Sequence, residues 1–111
     1  MATTHTTLAA GRWQEFSLSE QMGNIGSEAS RALKWQEKDE KLYSGAIERA
    51  LELFDLTLDD PRWRRGGRLR EIARAREVFV DAVFGGTAYG STLKDLLPYF
   101  DHFAFSARSR F

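Results

Sequence analysis

The chain has 111 residues, 16 Lys+Arg against 16 Asp+Glu, 42% hydrophobic residues and no cysteine. That length suits one domain with a real core and is too short for two, and the apolar content argues against a disordered chain. Without cysteine there is no disulfide, Cys-ligated zinc, iron–sulfur centre or Cys nucleophile, and two histidines leave little for a His-based metal site or a catalytic triad.

Residues 1–11 are polar and lack the basic start and apolar core of a signal peptide. Residues 1–15 are therefore expected to be a disordered tail, with a single helical domain over 16–111 and a cytoplasmic location. Ser17 and Glu20 have capping-box spacing. Beyond them Met22, Ile25, Ala29, Ala32 and Leu33 recur at helical spacing, which predicts a helix over about 18–37. Gly23 and Gly26 lie inside it, each costing about 1 kcal/mol against Ala. With Ser27 and Ser30 they form a small-residue surface suited to close helix packing.

A charged connection, 36–41, leads to a second helix over about 40–58, with Tyr43, Ile47, Ala50, Leu51, Phe54 and Leu58 on one stripe. It should stop near Asp59, because the residue before Pro61 is pushed out of the helical region. Residues 62–67 read as a loop ending in two glycines. The third helix is expected over about 68–84, with Leu69, Ile72, Ala73, Arg76, Phe79, Val80 and Val83 inward. Arg76 would then lie beside the core and need a carboxylate. Gly85 and Gly86 end it. Thr92 and Asp95 offer a second capping box for a last helix over about 92–108. Pro98 predicts a kink or break at 97–98. No stretch alternates like a strand. The fold expected is all-α, an up-down bundle of four main helices.

The strongest compositional signal is Arg62, Arg64, Arg65, Arg68, Arg70, Arg74 and Arg76 within fifteen residues, with Trp63 among them. Arginine grips phosphates and carboxylates bidentately, and a tryptophan can stack on a base. Two readings follow: a nucleic-acid contact, or ion pairs answering Glu48, Glu52, Asp55, Asp59 and Asp60. Asp55 and Asp59, four apart on one face, could run acid–base chemistry or hold a divalent ion. An ion-paired helix end is the expected reading, with no metal and no cofactor. His5 falls in the tail. His102, beside Asp101, is read as a surface side chain. The 85–92 loop lacks the GK[ST] ending of a P-loop. Trp13, Trp35 and Trp63 are flanked by polar residues. A core this small cannot easily hold all three with eight phenylalanines, so they and the Gly23/Gly26 surface are the interface candidates.

Tyr43–Leu53, ending in Asp60-Pro61, resembles the second helix of a tetratricopeptide repeat, but one copy makes no solenoid. The segments Ser17–Glu28 and Ala50–Thr57 are similar to small uncharacterised prokaryotic helical proteins, whose layout resembles HEPN-type bundles. That resemblance implies a toxin–antitoxin setting. HEPN ribonucleases carry an Arg a few residues before a His, and Asp95, Leu96 and Leu97 stand there before His102. The resemblance therefore implies a non-catalytic version.

Zero net charge hides a division. Residues 1–61 hold 6 basic and 11 acidic side chains, and residues 62–111 hold 10 and 5. Such halves favour pairing of the second helix with the third, within one chain or across a dimer. The sequence thus points first to a non-enzymatic interaction module, as a homodimer or a subunit of a hetero-complex. RNA or DNA binding through the arginine cluster comes second, and an HEPN-like toxin–antitoxin component third.

Overall fold

A computed structural model describes residues 11–85, 90 and 92–108. His5, the expected tail over 1–10 and the Tyr89 part of the glycine loop lie outside them. The described residues form four helices: α1 (Leu18–Trp35), α2 (Glu40–Leu58), α3 (Arg68–Val83) and α4 (Leu93–Arg108), with a single 3₁₀ turn at Pro61–Trp63. The all-α expectation holds, and no strand occurs among the described residues.

The helix ends follow local chemistry. Ser17 Oγ accepts from the Glu20 amide at 3.1 Å, and the Glu20 carboxylate accepts from the Ser17 amide at 2.8 Å. Thr92 and Asp95 reproduce this exchange at 3.0 and 3.3 Å before α4. The Thr92 amide bond first, and then the Thr92 hydroxyl acting on the carboxylate itself, hold the Asp95 carboxyl below the usual carboxylate range. Asp39 caps α2 through the Leu42 amide. After α1, Glu37 has φ +68°, an uncommon conformation for a residue with a Cβ. Gly85 takes φ +72° just past α3. Of the kink or break expected at 97–98, the break does not occur: α4 continues across Pro98 to Arg108.

The core centres on α1, which lies along both α2 and α4, whereas α3 touches α2 and α4 more lightly. Met22, Ile25 and Ala29 meet a triangle of Phe54, Phe79 and Phe100, one ring from each remaining helix, with centroids 5.7–6.5 Å apart. Gly26 lets α4 come close: a Cβ there would stand 3.0 Å from Phe100 Cβ. The small-residue surface is thus half consumed inside the fold. Gly23, with nothing within 4 Å of such a Cβ, stays open.

The expected inner face of α3 and the expected start of the domain are corrected. On α3 the buried residues are Ile72, Ala75 and Phe79, with Val78, Ala82 and Val83 packed partly against the core. Leu69 is exposed, and Ala73 and Val80 lie outside that core set. The helix is turned away from the expected face because apolar residues occupy most of its circumference, so spacing alone does not choose the arc. The domain also starts earlier than residue 16. Residues 11–13 are helical, and Trp13 is buried.

Candidate interaction face on the third helix

The residues that looked chemical in the sequence divide into an internal lock and an outer face. The lock lies where the Trp13 segment, the start of α1 and the end of α2 converge. Trp13 Nε1 donates to Thr57 Oγ1 at 2.9 Å, and that hydroxyl donates to the Leu53 carbonyl at 2.8 Å. Gln21, fully buried, uses its whole amide. Its Nε2 donates to the Trp13 carbonyl at 2.8 Å and to Asp60 Oδ2 at 3.1 Å. Its Oε1 accepts from Trp63 Nε1 at 2.8 Å.

Asp60, also fully buried, receives the Arg62 amide at 3.1 Å and the Arg62 guanidinium at 2.7–3.2 Å. That guanidinium also donates to the Phe16 carbonyl and lies 4.5 Å from the Trp63 ring centroid. Burial pushes the Asp60 carboxyl up, but hydrogen bonds from Arg62 and Gln21, with the Arg62 charge, outweigh it and hold the group below the usual carboxylate range. The Arg62 guanidinium moves up in turn, chiefly through its bonds to Asp60. Among the described residues no buried side-chain polar atom lacks a partner.

This geometry corrects the interface expectation for Trp13 and Gly26. Trp13 is no interface residue, since it is buried and hydrogen-bonded inside. Trp63 is half-buried and tied to Gln21, and Trp35 is half-buried with Lys34 Nζ 5.1 Å from its ring. Gly26 serves internal packing. The carboxylates do not converge either. Asp60 turns inward, Asp59 is exposed, and Asp55 pairs with Arg76 at 3.0 Å. Among the described residues no group of three or more His, Asp or Glu is placed to hold a metal. His102 is exposed on α4 beside exposed Asp101.

The arginine run is split. Arg62 and Arg76 are engaged within the chain. Arg64, Arg65 and Arg70 are exposed and Arg68 half-buried, and among the described residues these four side chains make no hydrogen bond or ion pair. They surround the start of α3, where Gly67, at φ +78°, supplies no side-chain cap. A helix N-terminus carries partial positive charge, so the arginines add to it.

The outer face of α3 was not legible as a site. Leu69 is 37% exposed and Phe84 66%, with half-buried Ala73 and Val80 between them. At 3.6 residues per turn these four fall within an arc of about 60°. Glu77, Arg70, Asp81 and Arg74 border that arc on one side, and Arg76, held by Asp55, borders it on the other. Tyr99 of α4 lies near the Arg74 side. Burial raises its hydroxyl pKa, the Glu71 charge adds to the rise, and Arg74 opposes it. The face is an apolar strip on a lightly held helix, with charged borders. Singly exposed apolar residues need no explanation, but an aligned row does.

No family model matches the chain, and no match was found among curated proteins or solved structures.

Proposed function

We propose that this chain is a non-enzymatic helical interaction module that docks through the outer face of α3. The observation that carries the reading is the aligned strip of Leu69, Ala73, Val80 and Phe84. Interface cores draw on apolar and aromatic side chains with a charged rim, and this strip has both. Trp13 and Gly26 are used inside the fold and lend this reading no support. No described helix is long and apolar enough to cross a membrane. Were the chain a non-catalytic HEPN-like subunit, the same face would meet its partner.

The test compares the chain with Leu69→Ser/Val80→Ser/Phe84→Ser in sedimentation equilibrium and affinity capture, with folding checked by circular dichroism. The expected result is association, with itself or another protein, that the triple substitution weakens at least about tenfold. Association untouched by the substitutions, or none at all, counts against the module.

A second reading has its own observation. Among the described residues Arg64, Arg65, Arg68 and Arg70 have no side-chain partner, and they surround an uncapped helix start, a positive surface suited to a phosphate backbone. Filter binding to single-stranded RNA across salt concentrations tests it. Four phosphate contacts give a log–log slope of about −3. No binding at low salt ends this reading.

A further inference from the structure

The α3 face carries a pattern that identifies its occupant. Within the strip, Leu69 and Phe84 are the outer pair, and Ala73 and Val80 the inner pair. Both pairs are centred between Arg76 and Glu77. On the charged border, Arg70 and Arg74 stand on the N-terminal side of that centre and Glu77 and Asp81 on the C-terminal side. A two-fold axis through the centre, perpendicular to the helix, places α3 of a second copy antiparallel to the first. Leu69 then opposes Phe84 of the other copy, and Ala73 opposes Val80. The same operation keeps like borders together and reverses their order, so Arg70 meets Asp81 and Arg74 meets Glu77. The geometry points to a homodimer built on this antiparallel α3 pair, an inference that rests on the α3 docking reading above.

Three observations agree on this register. The apolar pairs fix one centre. The charge pairs are centred within one residue of it, as border positions on facing helices should be. All four charges lie on the same border, where a two-fold interface brings them side by side. In a parallel pair the two-fold axis runs along the helices and puts the two charged borders on opposite sides of the contact, so these four charges would not meet their counterparts. Charge complementarity therefore selects the antiparallel arrangement as well as the partner. One helix of 16 residues spans about 24 Å, and contacts of that size belong to the weak class of interfaces. A micromolar dimer is expected.

The experiment uses three full-length chains in sedimentation equilibrium: wild type, Arg70→Glu/Arg74→Glu, and Glu77→Arg/Asp81→Arg. The first variant has an all-acidic border and the second an all-basic one. Each alone is expected to self-associate at least about tenfold more weakly than wild type, and their equimolar mixture to recover to within about threefold of it. Because the chain has no cysteine, a second measurement avoids charge changes altogether. Chains carrying Ala73→Cys and Val80→Cys are mixed and oxidised. The mixed disulfide is expected to outrun either self-linked product, since two copies of residue 73 stand about 10 Å apart along the antiparallel pair.

A wild type that stays monomeric at high micromolar concentration overturns the second copy as partner. Strip-dependent capture of a different protein would then leave the docking reading standing. A dimer indifferent to both charge variants overturns the register, and so does preferential self-linking at residue 73.

Discussion

Arg62 and Arg64 stand two residues apart and meet opposite surroundings. Arg62 turns back onto buried Asp60, where a carboxylate with four donor atoms around it closes a fully satisfied network. Among the described residues Arg64, Arg68 and Arg70 meet no carboxylate, and Arg64 and Arg70 stay on the surface. The difference shows that arginine density is not itself a site. What decides each guanidinium's role is whether the fold brings an acid within reach. The Trp13 end of the molecule is built inward, with every buried side-chain polar atom among the described residues answered. The α3 side is built outward, with a lightly held helix, an uncapped start and an aligned apolar strip.

The largest effect should come from the one ring that fastens α3 to the rest. Phe79→Ala is expected to cost about 4 kcal/mol in urea unfolding, because Phe79 is fully buried against Phe54 and Phe100. A much smaller cost would mean α3 is held by other contacts and would blur the contrast. Asp60→Ala tests the inward side. It removes the acceptor shared by Arg62 and Gln21 and should cost about 3 kcal/mol in the same assay.

The Asp60 network also has a pH signature. Its folded carboxyl lies below the unfolded value, so its contribution is complete above that value. It is lost as pH falls through the folded value, below about pH 4. Acid titration of Asp60→Asn should lack this component while keeping the contribution of other carboxylates. An unchanged acid profile would remove Asp60 from that role.

The two glycines of α1 sharpen the comparison at a smaller scale. Gly23→Ala adds a methyl group in open space and should stabilise by about 0.5–1 kcal/mol. Gly26→Ala pushes on Phe100 and should give a net loss of about 1 kcal/mol, measured by thermal unfolding. Equal effects would mean that α1 and α4 are not closely packed. Arg76→Leu is the smallest change. The pair it breaks has side chains 33% and 62% exposed, so a shift of about 0.5 kcal/mol is expected.

The helix ends were readable because capping depends on a few adjacent residues. Ser17 with Glu20, Thr92 with Asp95, and Pro61 beyond Asp59 place three boundaries. Faces were harder. On α3, apolar residues at Leu69, Ala73 and Val80 compete with Ala75, Val78 and Ala82, and only the neighbouring helices decide which row is covered. Gln21 and Thr57 went unnoticed as network members, although both extend buried rows, Leu18–Gln21–Met22–Ile25 and Ala46–Ala50–Phe54–Thr57. A polar residue on an apolar row is the signal that could have found them. Trp13 had no such row. Its burial depends on Thr57, 44 residues away, a separation that no local pattern encodes.

That separation has a topological consequence. The Trp13–Thr57 and Phe16–Arg62 bonds span 44 and 46 residues and close the chain into a ring containing all of α1 and α2. Closing such a loop costs about 3 kcal/mol of chain entropy, to be met by a handful of bonds at one spot. Opening that spot frees both ends of the ring together. Amides across α1 and α2 should then share one opening event in hydrogen exchange, while α3, outside the ring, opens on its own.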